Sequence, residues 1–301
     1  MHFADRLAGL VEERRSRVVL GLDPDPATLW PGAAPTGSGE GPLARVNTAE
    51  AVAGHCRSAI VAAGPACVAV KLQLACFERL GAPGWDALER TVAIARDHGL
   101  LVIADGKRGD VPVTAAAYAQ ALVGVTPGPY GPVPGLGADA FTANPLLGRD
   151  ALEPLIEGAR EADAGCFVLV RTSNPGAAEL QDEGDPPLHE RLARIVAELG
   201  AGGEGDCGLS LVGAVTGATE PRLLARLREL MPHAIFLLPG VGAQGGRVED
   251  LAPAFAPHPA AGLVTASRSI VNAFQERGGD PARAAAEAAE ELRAAAWMLS
   301  S

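Results

Sequence analysis

Short apolar runs alternate along the chain with stretches that have the periodicity of amphipathic helices. The runs show little polar alternation, which is typical of parallel strands buried on both faces. They are Val18–Asp23, Cys67–Gln73, Leu100–Asp105, Asp139–Asn144, Cys166–Thr172, Leu209–Ala214, Ala234–Pro239 and Gly262–Ser267. The helical stretches include Ala49–Ala63, Trp85–His98, Val111–Leu122, Leu188–Leu199, Glu220–Leu230 and Ala282–Met298. Eight such strand–helix units predict an α/β fold, a (β/α)8 TIM barrel, rather than an open doubly wound sheet.

The length of 301 residues lies within the usual range for one such barrel. Three loop-like stretches interrupt the alternation, at Trp30–Pro42, Gly124–Gly137 and Ala201–Gly208. Barrel-like units flank each of them, so we expect a single domain over residues 1–301 with surface insertions near 30–42, 124–137 and 201–208. Thr219, ahead of Glu220 and Pro221, predicts an N-cap with proline in the first helical turn.

Composition narrows the classes of partner. Apolar residues make up 48% of the chain and aromatic residues 4%, so we expect a core of Ala, Val, Leu and Ile. The formal net charge of −11 disfavours nucleic acid and anionic membranes, which require a basic face. We expect a cytoplasmic protein, because the N-terminal segment lacks a signal peptide's apolar run and no stretch is apolar enough to span a membrane. The five cysteines, odd in number and without C-x-x-C spacing, are interpreted as buried hydrophobic residues.

Polar side chains stand where several apolar runs end. Core strands seldom tolerate charge unless it is paired or functional, and barrels of this kind carry their chemistry at the carboxyl ends of the strands. Asp105 and Lys107 are two positions apart, so an extended backbone would point both side chains to the same side. A surface ion pair is the alternative for these two, and a helix N-cap is the alternative for Asp110. The other polar residues at run ends are Asp23, Lys71, Gln73, Asn144, Arg171, Thr172, Ser173, Asn174, Ser267 and Arg268.

The segment ADGKRGDV at Ala104–Val111 resembles the Asp-x-Lys-x-x-Asp signature of orotidine 5′-phosphate decarboxylases. Two positions depart from the family's common pattern, Leu72 where many members have proline and Gly106 where alanine is frequent, but neither removes a charged group. Six further blocks occur in the family's order and are similar to its longer, bacterial branch. They are FADRL at Phe3–Leu7, GLDPDP at Gly21–Pro26, Val70–Leu80, Arg171–Pro175, Leu238–Gly246 and Ala266–Ile270.

The resemblance implies a carboxy-lyase that converts orotidine 5′-phosphate to UMP and CO₂ in de novo pyrimidine biosynthesis, without a cofactor. This reaction is difficult because it forms a carbanion at C6 whose charge is not delocalised by a cofactor. The site must therefore stabilise the negative charge and then supply a proton. An alternating array of Lys71, Asp105, Lys107 and Asp110 suits this task. Lys107 between two carboxylates would be held as an ammonium and would protonate C6. Asp105 would lie near the departing carboxylate, and whether it acts by ground-state repulsion or transition-state stabilisation stays open.

The resemblance also implies contacts with the sugar. Lys71 would orient Asp105 and reach the ribose, and Asp23 and Thr114 would contact ribose hydroxyls. Asp110 and Thr114 would reach the active site of the neighbouring subunit. The resemblance therefore implies a homodimer with shared active sites.

The phosphate is expected between the seventh and eighth units, its usual position in such barrels. The stretch Gly240–Gly245 would supply backbone N–H groups, and Arg268 would add a charge-assisted contact. The same stretch matches the dinucleotide fingerprint G-x-G-x-x-G, but it follows the seventh strand rather than the first, so we predict no nicotinamide cofactor. We expect Ser173 to contact the pyrimidine. The remaining predicted substrate contacts are Gly242, Gln244 and Ser267.

Two other functions stay open. Mg²⁺-dependent keto-sugar-phosphate decarboxylases or aldolases on the same barrel share the Asp-x-Lys-x-x-Asp pattern, and carboxylates suit that ion. Their second strand typically presents an acid, whereas Lys71 adds an ammonium that opposes a divalent cation, so we predict no metal. The other alternative is a non-catalytic sensor of phosphate ligands. The intact set of Asp105, Lys107 and Asp110 disfavours it.

Overall fold

Eight parallel strands close into a barrel, which confirms the predicted fold class. The computed structural model describes residues 1–33, 42–242 and 245–299. The strands are β1 (Val18–Leu22), β2 (Ala69–Gln73), β3 (Leu101–Arg108), β4 (Val125–Thr126), β5 (Val133–Pro134), β6 (Ala140–Ala143), β7 (Gly165–Arg171), β8 (Val212–Thr216), β9 (Phe236–Pro239) and β10 (Gly262–Ala266). Their order around the barrel is β1-β10-β9-β8-β7-β6-β3-β2, and β4 and β5 form a separate antiparallel hairpin.

Helices follow the strands and surround the barrel. They are α1 (Phe3–Arg14), α2 (Pro42–Ala63), α3 (Leu74–Glu78), α4 (Ala82–Asp97), α5 (Pro112–Leu122), α6 (Arg149–Glu161), α7 (Ala178–Gln181), α8 (Leu188–Gly200), α9 (Pro221–Leu230), α10 (Arg268–Val271), α11 (Ala273–Arg277) and α12 (Pro281–Met298). Short 3-10 helices lie at Gly64–Ala66, Pro175–Ala177, Val248–Phe255 and Pro259–Ala261. Within the described ranges, none of the helices has the length and apolar character needed to cross a membrane.

The core is mainly aliphatic, as the composition predicts. Every residue of β1, β6, β8 and β10 is buried, because one face of each strand lines the barrel interior and the other packs under helices. This double burial explains why the strands read as uninterrupted apolar runs. At the amino end of β6, the buried Asp139 accepts hydrogen bonds from Arg6 Nη1 at 2.5 Å and from the backbone N–H of Val102 at 2.9 Å.

Several predicted boundaries are wrong. Helix α2 begins at Pro42 rather than Ala49, and α4 begins at Ala82 rather than Trp85. Strand β8 begins at Val212 rather than Leu209, because Val212 is the first residue paired with β7, and the buried Leu209 and Leu211 precede it. Apolar character reports burial and cannot locate the first paired residue. The N-cap of α9 is Glu220 rather than Thr219, whose hydroxyl instead donates to the carbonyl of Ser173 at 3.4 Å.

The three predicted insertions have different structures. Residues 34–41 lie outside the described residues, while Trp30 just before them is buried and donates from Nε1 to the carbonyl of Val271 at 2.9 Å. The second stretch forms the β4–β5 hairpin, with Tyr130 fully exposed between its strands. The third stays close to α1, since the N–H of Cys207 donates to Asp5 Oδ1 at 2.8 Å.

Candidate active site

A cavity of about 480 Å³ opens at the carboxyl ends of the barrel strands. The barrel brings to this one place residues from β1, β2, β3, β7 and β10 that are far apart in sequence. Of the predicted site residues, those lining the cavity are Asp23, Lys71, Asp105, Lys107, Ser173, Ser267 and Arg268.

Asp105 lies at the centre of the charged part of this cavity and is only 4% exposed. Lys71 Nζ lies 2.6 Å from its Oδ2, and Lys107 Nζ lies 2.6 Å from its Oδ1. Thr142 Oγ1 donates to Oδ1 at 2.9 Å, and Gln73 Nε2 donates to Oδ2 at 3.4 Å. Burial alone would raise the pKa of Asp105, but the charges of Lys71 and Lys107 outweigh it and hold that pKa well below its ordinary value. Asp105 is therefore a buried carboxylate, and a surface ion pair does not describe it.

Lys71 is buried in β2, and a second carboxylate approaches it, with Asp23 Oδ1 at 3.6 Å from Nζ. Burial alone would lower the pKa of Lys71. The charges of Asp105 and then Asp23 reverse that effect and raise its pKa above the ordinary value. Lys71 is thus held as a buried ammonium, whereas the side chain of Lys107 is 41% exposed and faces the cavity.

Breaking this buried pair should lower stability with a defined pH dependence. We expect Asp105→Asn to reduce the free energy of unfolding by about 3 kcal/mol, since it removes one partner of a buried ion pair. The depressed pKa of Asp105 stabilises the folded state at pH values above 3.8, the ordinary pKa of this group, and this stabilisation is lost as the pH falls below that value. The raised pKa of Lys71 stabilises the folded state at pH values below 10.5, the ordinary pKa of this group, and this stabilisation is lost as the pH rises above that value. Denaturant titrations should therefore give a constant difference between wild type and variant from about pH 5 to 9.

The matched control for that experiment is Asp86→Asn, which breaks an exposed pair with Arg90 on α4 and should cost less than about 1 kcal/mol. A difference between wild type and Asp105→Asn that already vanishes near pH 6 would contradict the depressed pKa of Asp105.

The backbone at Lys107 departs from the extended conformation that the sequence spacing assumes. Its φ is +47°, in the left-handed region, and the pairing of β3 with β6 changes register between Ala104 and Arg108. This irregularity is a β-bulge, which re-aims the side chain that follows it. The extended-backbone prediction is wrong here, although the ammonium still meets Asp105. Left-handed backbone costs a residue with a Cβ about 1–2 kcal/mol, and such strain is concentrated at functional sites.

Gly106, one of the departures from the family pattern, lies within the same bulge. A Cβ at this position would come within 2.7 Å of Leu74 Cδ1 and 3.1 Å of Arg108 Nε. Leu74 is fully buried at the start of α3. Glycine therefore allows α3 to pack directly against the segment that carries Asp105 and Lys107.

Asp110 does not complete the charged array within its own chain. Across the described ranges, no ion pair joins Asp110 to Lys107, so Lys107 is flanked by one carboxylate of its own chain rather than two. Asp110 Oδ1 instead accepts from the N–H of Val111 at 2.7 Å, and Val111 is the N-cap of α5. The N-cap alternative for Asp110 is therefore wrong by one residue. Neither Asp110 nor Thr114, in the first turn of α5, is among the described residues that line the cavity.

The predicted phosphate end of the cavity is formed by the rim after β10. Ser267 is the N-cap of α10, and its hydroxyl lies over β1, because a Cβ on Gly21 would be 1.9 Å from Ser267 Oγ. The exposed Arg268 follows and lines the cavity. Glycine at position 21 is thus required for the close approach of this rim to β1.

The glycine-rich loop after β9 lines the same end through Gly240 and Val241. Gly242 is not among the described lining residues, and its N–H donates to the carbonyl of Gly246 at 2.9 Å. Its predicted contact with a phosphate therefore stays a prediction. Gln244 lies outside the described residues.

Ser173 lies at the mouth of the cavity on the segment after β7. Arg171 anchors this segment, because its guanidinium donates to Asp182 Oδ1 at 2.8 Å and Oδ2 at 3.0 Å and lowers the pKa of that carboxyl. Gln181 Oε1 accepts from the N–H of Thr172 at 2.7 Å. Arg171 is thus a structural residue, although its place at a strand end resembled that of the site residues.

Three polar residues that line the cavity are absent from the set predicted from sequence: Thr142, Thr265 and Gln181. Thr142 is the only polar residue of β6, and that isolated hydroxyl was a usable signal. Gln181 ends the short helix α7 and carried no signal. A stronger compositional signal was also present: Lys71 and Lys107 are the only lysines in a sequence with 25 basic residues.

A closed parallel barrel with a buried lysine–aspartate cluster at the carboxyl ends of its strands defines a (β/α)8-barrel protein with a charged small-molecule site. Residues 16–288 match the model of the orotidine 5′-phosphate decarboxylase / HUMPS family. The chain belongs to this family.

Individual relatives agree with that assignment over nearly the full chain. A Deinococcus radiodurans protein named orotidine 5′-phosphate decarboxylase is 42% identical over 298 residues, which cover 97% of this chain and 95% of the relative. A Rhodopirellula baltica protein of the same name is 39% identical over 277 residues, 91% of this chain and 90% of the relative. The solved structure of Leishmania donovani OMP decarboxylase superposes with a TM-score of 0.72 at 31% identity and covers 98% of this chain and 99% of that one.

Proposed function

We propose that this chain catalyses the decarboxylation of orotidine 5′-phosphate to UMP and CO₂. The observation that carries the proposal is the cavity in which Asp105 holds two ammonium groups, each 2.6 Å away. Relatives that share about 40% of their residues with it are named for this activity. The site offers charge stabilisation and a proton without any bound cofactor, which is what the C6 carbanion requires.

Lys107 is the proton donor in this proposal. Its ammonium reaches the open cavity, whereas that of Lys71 is enclosed between Asp105 and Asp23. The bond from C6 to the carboxylate breaks and leaves its electron pair on C6. That carbon takes a proton from Lys107 Nζ, and the neutral amine regains a proton from water at the cavity mouth.

The other lining residues also have roles in this proposal. Lys71 holds Asp105 in place and, with Asp23, lies beside the space for the ribose. Arg268, at the rim after β10, is a cation for the phosphate. Ser173, on the segment after β7, reads the pyrimidine. Phosphate binding far from C6 can then contribute to lowering the barrier at C6.

The active unit in this proposal is a homodimer. Asp110 and Thr114 do not line the cavity of their own chain. Both are predicted to act in the site of the partner subunit. The surface beside them is apolar, with Val113 85% and Leu146 78% exposed, and Val111 and Leu147 also exposed. Such a patch around functional residues is typical of a protein–protein interface.

The Mg²⁺-dependent alternative fits the cavity less well. Both oxygens of Asp105 already accept from ammonium groups, and the buried Lys71 would repel a divalent cation placed there. A carboxylate-based Mg²⁺ site needs oxygen ligands that are available to the ion.

The deciding experiment follows orotidine 5′-phosphate by its ultraviolet absorbance with purified protein in excess EDTA. We expect full turnover, with UMP and CO₂ formed in equal amounts, because no step uses a metal. Loss of activity with EDTA, together with no action on this substrate after Mg²⁺ is restored, would instead favour the sugar-phosphate lyase or aldolase. Saturable UMP binding without any turnover would favour the sensor.

A further inference from the structure

The bulge that carries Asp105 and Lys107 faces a single residue of the neighbouring strand. Ala104 pairs with Phe141 and Arg108 pairs with Ala143, so residues 105–107 of β3 stand opposite Thr142 alone. Thr142 is only 1% exposed and lines the cavity.

The Thr142 hydroxyl bridges the two charged residues. Its oxygen accepts from the backbone N–H of Lys107 at 2.8 Å, and its O–H donates to Asp105 Oδ1 at 2.9 Å. Lys107 Nζ reaches the same Oδ1 at 2.6 Å. The three groups therefore close a ring that fixes both the backbone of Lys107 and the orientation of the carboxylate.

From this ring we infer that Thr142 is a positioning residue, which sets the direction of the Lys107 ammonium toward the substrate. The inference rests on the proposed function. It does not require Thr142 to contact substrate.

Two physical arguments support the role. The bulge removes the ladder partner of the Lys107 N–H, and a buried N–H without an acceptor is costly, so Thr142 supplies what the irregular strand lacks. The left-handed backbone at Lys107 is strained and needs surrounding contacts to hold it. Threonine suits this task because its β-branched side chain has few rotamers and aims the hydroxyl in a fixed direction.

The test compares Thr142→Val, which removes the hydroxyl at nearly constant shape, with Thr142→Ser, which keeps it. We expect Thr142→Val to lower kcat about 10- to 100-fold, because a hydrogen bond to a charged group is lost and the proton donor is misaligned. KM should change by less than about threefold, since the ground-state substrate contacts stay. Thr142→Ser should keep kcat within about threefold of wild type.

The matched control is Thr216→Val, the same substitution at a buried barrel threonine. Thr216 ends β8, and in the described part of the chain its hydroxyl has no hydrogen-bond partner. We expect its kcat to equal that of wild type. If Thr142→Val does not yield folded protein, Thr142→Ala provides the same comparison, because it also removes the hydroxyl.

A spectroscopic readout separates positioning from general stability. Because the sequence contains only two lysines, protein labelled with ¹⁵N-lysine gives only two backbone amide signals. The Lys107 amide should shift in Thr142→Val and keep its position in Thr142→Ser and Thr216→Val.

Wild-type kcat in Thr142→Val, an unmoved Lys107 amide, or equal losses in the valine and serine variants would each overturn the inference. Failure of the wild-type protein to turn over orotidine 5′-phosphate would contradict the proposed function instead. The amide signals would still test the hydrogen bond in that case.

Discussion

Lys107→Ala is expected to lower kcat for orotidine 5′-phosphate by at least about 10⁴-fold, because it removes both the proposed general acid and the charge proposed to stabilise the carbanion. The fold should persist, since the Lys107 side chain is 41% exposed and Asp105 keeps its pair with Lys71. Steady-state assays give the rate, and circular dichroism with thermal unfolding checks the fold. UMP should still bind, because the residues proposed to contact the phosphate and the pyrimidine, Arg268 and Ser173, are other lining residues of the cavity.

Lys107→Arg separates the two contributions of this side chain. A guanidinium keeps the positive charge but does not release a proton under ordinary conditions, so this variant should also lack turnover. Arg283→Ala, which removes an 80% exposed side chain on α12, is the surface control and should retain full activity. Lys107→Ala turnover within about tenfold of wild type would show that another group protonates C6.

Mixing two inactive variants is expected to restore activity if Asp110 serves the partner subunit. One chain carries Lys107→Ala and the other carries Asp110→Asn, and each homodimer alone should be nearly inactive. In the mixed dimer, one site combines the intact Lys107 of one chain with the intact Asp110 of the other. Random exchange should therefore recover roughly a quarter of the wild-type activity per site, as the two-fold symmetry of a dimer requires.

No recovery of activity on mixing would show that Asp110 acts within its own chain. If Asp110 acted within its own chain, both sites of the mixed dimer would contain a defect and mixing would recover nothing. Subunit exchange itself is checked with a differently tagged pair of chains. The control mixes two batches of the Lys107→Ala variant, which should stay inactive under either arrangement.

The barrel architecture could be predicted from the sequence because it depends on local patterns of apolar and polar residues. Strands buried on two faces must be continuously apolar, and their spacing with amphipathic helices between them predicted a closed parallel barrel. Charged residues at run ends also identified Asp105, Lys71 and Lys107 as candidates, since a charge at such a position requires a partner or a function. Arg171 met the same criterion, and only its contacts with Asp182 showed that it is structural.

What the sequence alone determined was the set of charged groups and the strand ends that carry them. Tertiary structure decided their geometry: the left-handed backbone at Lys107, the bridging hydroxyl of Thr142, and the failure of Asp110 to reach its own Lys107. Each of these depends on pairing between strands that are distant in sequence, and a bulge in one strand changes where a side chain points without changing any local pattern. The sequence spacing therefore predicted that Asp105 and Lys107 lie together on the assumption of a regular extended strand. In the structure they meet because the strand is irregular at Lys107.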